Sequence, residues 1–260
     1  MRIYLAATTS AMTVEGRKEF IKRGQPKYLL NTFFEGERTC LKVMQDVEKD
    51  NFLLDSGAFS FMSGATCTKE NLIEYAERYI AFINQYQVSR FFEIDVDTIF
   101  GLEFAEYLRA KIEKETGKQT IPVWHKSRGI DYFKRMVDEY EYIAIGGLVF
   151  HVKQSEWNSI HKMVDYAARK GTKIHGLGFT KTQLLKDWNW YSVDSSSWGL
   201  AAGRGQQRHD FDPVKGCIVS HHIEGNGKKT DGCALALHNG IEWCKYQKFM
   251  DLRKGFYGKE

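Results

Sequence analysis

The strongest constraint on this chain is an alternation. Eight short apolar or β-branched runs recur along the first 200 residues: Arg2–Ala6, Lys27–Asn31, Phe52–Asp55, Phe91–Asp95, Thr120–His125, Tyr142–Gly146, Lys173–Leu177 and Tyr191–Asp194. Runs so short and so uniformly apolar suit strands buried on both faces, as in parallel sheets. Most are separated by helical patterns. Asn71–Tyr86 places Leu72, Ile73, Ala76, Tyr79, Ile80 and Ile83 three or four apart, and Leu102–Lys114 does likewise with Gly117 just past its end as a stop. Asp131–Tyr140, Gln154–Lys170, Lys181–Trp188 and Cys40–Asp50 complete the series, while Thr8–Gln25 reads as a loop with one short helix. Strand and helix alternating eight times predicts an α/β chain folded as a (β/α)8 TIM-type barrel. The alternative is an open doubly wound sheet, which usually has fewer strands and a glycine-rich first turn; no G-x-G-x-x-G follows the first run. The length of 260 residues suits one domain. Residues 1–200 are expected as the barrel core and 201–260 as a C-terminal extension with basic residues and a closing helix packed on the barrel.

Charge and cysteine content narrow the setting. The net charge of +4 is concentrated at the end of the chain, where residues 201–260 carry ten Lys and Arg against seven Asp and Glu. That bias suits an anionic partner, and a plain solvated surface equally well. Five cysteines without regular spacing fit free thiols in a reducing cytoplasm. No apolar run approaches the ~20 residues needed to span a membrane, and Met1–Tyr4 runs straight into a strand-like segment in place of a signal peptide. The expectation is a cytoplasmic protein with no membrane partner.

Several runs finish in a polar residue or glycine: Asn31, Asp55, Asp95, His125, Gly146-Gly147 and Asp194. In a barrel these ends converge on one rim, where active sites sit. Each could be an isolated cap, as Asp55 or Ser56 would be for the next helix. Together they make a pocket. A carboxylate at Asp194 can be a nucleophile, a general base or a metal ligand, and two carboxylates in one pocket permit a nucleophile plus acid/base arrangement. A glycoside hydrolase using Asp55 and Asp194 is one such reading. No H-E-x-x-H motif marks a catalytic metal, and no G-x-S-x-G marks a serine hydrolase. Gly146-Gly147 lets a planar group approach the backbone closely.

An ordered set of motifs then resembles the tRNA-guanine transglycosylase superfamily. These are Asp55-Ser56-Gly57-Ala58-Phe59, Gly146-Gly147-Leu148, Gly176-Leu177-Gly178 and Val193-Asp194-Ser195. Lys27–Phe34 is similar to that family's Asn-Thr-aromatic element after strand two. Gly203-Arg204-Gly205-Gln206 is similar to its Arg-rich stretch, and Ala236-Leu237-His238-Asn239 with Tyr246, Met250 and Arg253 to its C-terminal helix. The resemblance implies exchange of guanine in a polynucleotide for a 7-deazaguanine base through a covalent glycosyl-enzyme, with no cofactor required for the chemistry. Carried over, Asp194 is the nucleophile and Asp55 the general acid/base. Asp95 binds the Watson–Crick edge of the base; Asp97, on the same strand period, is its alternative. Ser56, His125, Gly146, Gly147 and Leu148 complete the base site. Phe59, Phe61 and Trp124 are stacking candidates, with Phe61 better read as core. Arg204, Arg208, Lys215, Lys228 and Lys229 follow the last strand, on the side where flanking phosphates would lie.

The chain also departs from the family. His125 stands where the family has a glutamine. The family's C-x-C-x-x-C zinc cluster is missing, although His238 keeps its histidine position; a rebuilt structural zinc site would use His238 with Cys217 and Cys233, while Cys244, His221 and His222 lie nearby in sequence. The chain is short, and its turn reads Ala58-Phe59-Ser60 in place of Gly-Phe-Gln. Both features resemble the compact phage and bacterial branch that inserts 7-deazaguanines, such as preQ0, into DNA. The expected partners are therefore DNA and a 7-deazaguanine base, in the host cytoplasm if the protein is phage-encoded. The alternatives are the same chemistry on tRNA, or a non-catalytic nucleic-acid-binding subunit of the same fold.

Overall fold

Seven of the eight runs become strands of a single parallel sheet. They are β1 (Arg2–Leu5), β2 (Leu29–Thr32), β3 (Phe52–Asp55), β4 (Val123–Trp124), β5 (Tyr142–Ile145), β6 (Lys173–Gly176) and β7 (Ser192–Ser195), in the spatial order β3-β2-β1-β7-β6-β5-β4. A computed structural model describes residues 1–58, 68–148, 152–179, 181–204, 207–223 and 231–253, the side chains of Gln154 and Arg204 excepted.

Both faces of the sheet are buried, and the period of two separates them. Ile3, Leu5, Leu29, Phe52, Leu54, Ile143, Ile145, Ile174 and Val193 pack outward against the helices. Tyr4, Ala6, Tyr28, Leu30, Leu53, Phe92, Ile121, Val123 and Ala144 form a second, inner cluster. That inner cluster joins Leu53 of one edge strand to Val123 of the other. A flat sheet would hold these two far apart, so the sheet is curled around its inner face.

The eighth run, Phe91–Asp95, lies between the two edges without forming a regular strand. It makes single parallel bridges, Leu54 to Phe91 and Phe92 to Ile121. Backbone bonds run from Leu54 N to Arg90 O (3.1 Å), Phe92 N to Leu54 O (3.0 Å), Glu93 N to Ile121 O (3.1 Å) and Ile121 N to Phe91 O (2.8 Å). After Glu93 the chain turns, with Val96 N bonded to Ile94 O, and a one-turn helix begins at Asp97.

Helices flank the sheet largely where the pattern places them. Lys69–Tyr86 starts on a capping box of Thr68 and Asn71, and Leu102–Thr116 stops at Gly117, which takes the left-handed conformation at φ 67°. Gly129–Glu139 and Trp157–Arg169 follow. Three boundaries differ from expectation. The helix expected over Cys40–Asp50 is Glu37–Met44, because the chain then enters a tight turn at Lys49–Asn51. The irregular Thr8–Gln25 contains an eleven-residue helix, Val14–Gly24, capped by Thr13. The helix expected over Lys181–Trp188 shrinks to Thr182–Leu185, and Trp188 instead packs on Trp157, Phe179 and Trp190.

The C-terminal extension contains an antiparallel hairpin, β8 (Gln207–Asp212) and β9 (Cys217–His222), that the pattern does not reveal. The closing helix, Gly232–Leu252, follows. Two buried amides on that helix hold it in place, Gln247 against the sheet and Asn239 against the hairpin and the helix before it. Gln247 Nε2 donates to Ile3 O (2.7 Å) and Tyr28 O (2.9 Å). Asn239 accepts from His209 N (2.8 Å) and donates to the carbonyls of Trp198 and Gln207. Among the described residues no helix is long and apolar enough to cross a membrane.

Candidate active site

A cavity of about 1800 Å³ opens where the strands end. It is lined by Asp55 at the end of β3, Asp95 at the end of the bridging segment, His125 after β4, Gly146, Gly147 and Leu148 after β5, and Asp194 in β7. Strand ends that lie far apart in sequence thus share one space, as expected of a curled parallel sheet whose rims collect loop residues.

Asp55 is half-buried. The Thr32 hydroxyl and the Gly57 amide donate to its carboxylate, but burial and the neighbouring Asp95 and Asp194 charges outweigh them and push its pKa up to about 7. The turn behind it depends on glycine. Gly57 has φ 77°, and a Cβ there would sit 2.6 Å from Phe34 Cβ and 2.7 Å from Thr32 Oγ1.

Asp95 and His125 form a pair, with His125 Nε2 2.7 Å from Asp95 Oδ2. Burial pushes the imidazole pKa down, the Asp95 carboxylate raises it by more, and the net direction is up. The His125 ring lies over the floor of the site: a Cβ on Gly146 would come within 2.5 Å of His125 Cε1. Only glycine at 146 lets the ring occupy this position.

Asp97 does not join them. Arg128 forks onto it, Nε to Oδ2 at 3.1 Å and Nη2 to Oδ1 at 2.8 Å, and Asp97 is absent from the cavity lining. Burial raises the Asp97 pKa, but Arg128 dominates and holds it below the usual carboxylate range. Strand period fails to place it because regular strand ends before Asp95 and Asp97 opens a helix. The same Arg128 donates to Glu93 Oε1 (2.8 Å), which also accepts from Val123 N (2.7 Å), while Arg109 donates to Glu93 Oε2 (3.2 Å). This buried network ties the loop carrying Asp95 to the loop carrying His125. Its only signal in the sequence is a charge, Glu93, inside an apolar run.

Asp194 sits at the end of a different set of bonds. Its Oδ1 accepts from the Gly178 amide at 2.8 Å and lies 3.1 Å from His175 Nε2. The sequence places His175 only as one residue of the seventh run, Lys173–Leu177, and its position beside Asp194 emerges from the pairing of β6 with β7, His175 opposite Ser192.

Other expected residues have other surroundings. Ser56 is fully buried and outside the cavity lining, and its hydroxyl has no hydrogen-bond partner among the described residues. Trp124 lines the cavity as a fixed wall, its indole N–H bonded to Gly129 O and its ring edge-on to Phe133. Arg208 is exposed on the hairpin and bound to Asp210, and Lys215 at the hairpin turn lies beside Asp212. Their strands contribute Gln207, His209, Ile218 and Ser220 to the cavity wall. Phe59, Phe61, Lys228, Lys229 and the Arg204 side chain lie outside the described residues.

The residues considered for zinc do not form a site. His238 Nε2 is engaged by Asp210 Oδ1 at 2.9 Å, Cys217 is buried in β9 and Cys233 is exposed at the start of the closing helix. Among the described residues no group of three or more His, Cys, Asp or Glu side chains is disposed to hold a metal ion. No protein-family model matches the chain, and no curated protein matches it either.

Proposed function

We propose that the protein is a base-exchanging glycosyltransferase that replaces guanine in DNA with a 7-deazaguanine of the preQ0 type. On this reading the bridging segment Phe91–Asp95 completes an eight-stranded (β/α)8 barrel, and the enzyme works in the cytoplasm on nucleic acid. The observation that carries the proposal is a pair of unlike carboxylates on one cavity. Asp55 keeps a proton up to about pH 7, and Asp194 has Oδ1 held by two neighbours, while Oδ2 has no hydrogen-bond partner among the described residues and is the oxygen assigned to attack.

The steps follow from those two states. Asp194 Oδ2 attacks C1′ of the target nucleotide as the bond from C1′ to guanine breaks. The departing base keeps that electron pair and takes the proton of Asp55. The 7-deazaguanine then enters, gives its ring N–H proton to the Asp55 carboxylate and attacks C1′, and the electrons of the C1′–O bond return to Asp194. Asp95, oriented by His125, accepts from the N–H edge of the base, and the backbone of Gly147 and Leu148 supplies its floor. A cavity of about 1800 Å³ exceeds the ~300–1,000 Å³ usual for a small-molecule site. That size suits a nucleotide flipped out of a strand together with its neighbours. The choice of DNA rests on the resemblance to the compact branch of the superfamily.

The test is an exchange assay with radiolabelled guanine or preQ0 on duplex DNA, single-stranded DNA and tRNA. Incorporation into DNA is expected. Incorporation into tRNA alone would replace the substrate, and none into any polymer would end the proposal.

A further inference from the structure

One buried titratable side chain has no part in the steps above. His175, in the middle of β6, is wholly shielded from solvent. Its Nδ1 lies 2.6 Å from Ser192 Oγ, and Ser192 Oγ lies 2.5 Å from the Tyr142 hydroxyl. On the other side of the ring, Nε2 is 3.1 Å from Asp194 Oδ1. The ring is caged by Phe92 at 5.1 Å, Tyr4 at 6.1 Å and Tyr142 at 6.5 Å between centroids, so it cannot turn without displacing the inner core.

We propose that Tyr142, Ser192 and His175 form a one-way hydrogen-bond chain that orients Asp194, anchoring Oδ1 and leaving Oδ2 as the atom that bonds the sugar. His175 is then a positioning residue, and the assignment of its target rests on the transglycosylase reading. The direction follows from the chemistry of the partners. An ionised carboxylate oxygen only accepts, so Nε2 carries the proton. Nδ1 is left to accept, and the one proton within reach is that of Ser192. Ser192 Oγ in turn accepts from Tyr142. Burial pushes the Tyr142 phenol well above its usual pKa, so it stays a donor throughout the working pH range. The Gly178 amide, just past the end of β6, donates to the same Oδ1 at 2.8 Å and completes the anchor. With both donors on one oxygen, rotation of the carboxylate would break two hydrogen bonds to a charged acceptor at once. A nucleophile held in this way needs no reorganisation at the moment of attack.

The experiment measures single-turnover formation of the covalent protein–DNA adduct at saturating DNA for wild type, His175→Met, His175→Gln and Ser192→Ala. Methionine fills the space and donates nothing, and we expect adduct formation to slow by about 10²-fold with DNA affinity unchanged. Glutamine can place an N–H near the position of Nε2 and should recover most of that loss. A long-range ¹⁵N–¹H spectrum of the wild-type protein should show His175 as the Nε2–H tautomer, and Ser192→Ala should mix the tautomers. A wild-type rate in His175→Met, a glutamine variant as slow as methionine at equal melting temperature, or an Nδ1–H ring in wild type would each overturn the chain. If wild type forms no adduct with any nucleic acid, the glycosyltransferase reading fails, and the tautomer spectrum still decides whether the chain exists.

Discussion

Asp55 and Asp194 are the same residue type, each near the C-terminal end of a parallel strand and each lining the same cavity, yet their surroundings are opposite. Asp55 is crowded by burial and by two other carboxylates, which make it hold its proton to about pH 7. Asp194 is met by an imidazole nitrogen and a backbone amide on a single oxygen. The first environment suits a group that gives and takes a proton near neutrality, and the second a group that must present a lone pair in one direction. Roles within a carboxylate pair are set by what the neighbouring strands bring alongside: β2 brings Thr32 to Asp55, and β6 brings His175 to Asp194.

The largest expected effect is at Asp194. On the transglycosylase reading Asp194→Ala should abolish both exchange and any trapped adduct, a loss of at least ~10³-fold in turnover, because it removes the oxygen that bonds the sugar. An adduct that survives this change would move the nucleophile elsewhere and erase the contrast. Asp55→Asn should slow exchange by about 10²–10⁴-fold, the usual contribution of a positioned acid/base, while leaving DNA binding intact in a gel-shift assay. In wild type, adduct formation should fall as pH rises through about 7, where Asp55 loses the proton that the departing base needs. A rate that is flat from pH 6 to 8 would remove Asp55 from the proton transfer.

The contrast was only partly legible in the sequence. The strand positions were readable because runs buried on both faces have to be continuously apolar, and the rim residues followed from their place at the run ends. The run Phe91–Asp95 forms single parallel bridges in place of a regular strand. Its Phe91 and Phe92 bridge the sheet edges as a strand would, but Glu93 leaves the apolar pattern to meet Arg109 and Arg128, and the chain turns before Asp95. That turn separates Asp95, on the cavity, from Asp97, held by Arg128, which a period of two makes equivalent. His175 was invisible as a functional residue because its meaning depends on register. Only the pairing of β6 with β7 sets it beside Ser192 and Asp194. The hairpin after Arg204 escaped notice because β8 reads Gln-Arg-His-Asp-Phe-Asp, with too few apolar residues to announce a strand.

The proton on Asp55 also has a signature in stability. The folded-state pKa of about 7 lies above the unfolded value of 3.8, so between pH 4 and 7 the folded chain binds the extra proton and stability falls as pH rises across that window. Asp55→Asn has no proton to lose. It should therefore be more stable than wild type at pH 8 by on the order of 2 kcal/mol, roughly half the full linkage value because the group is partly solvated. At pH 4 the two should melt together. Denaturant midpoints at the two pH values measure this, and an asparagine variant that is less stable than wild type at pH 8 would mean that ionising Asp55 costs the fold nothing and that its pKa is not raised.

The smallest effect separates the causes of that raised pKa. Burial is the largest of them, followed by the Asp95 charge and then the Asp194 charge. Asp95→Asn removes a negative neighbour while keeping the volume and an acceptor for His125. The Asp55 carboxyl should then titrate lower, because ionising it no longer opposes a second charge nearby, and most of the upward shift should persist because burial, its largest cause, is unchanged. The titration can be followed by ¹³C NMR of the Asp55 carboxyl without substrate, so loss of base binding in the variant does not obscure it. A midpoint that drops to the ordinary carboxylate range would transfer the cause from burial to Asp95 and make the two acids a coupled pair. A midpoint that does not move would leave burial and Asp194 as the groups that set Asp55 apart.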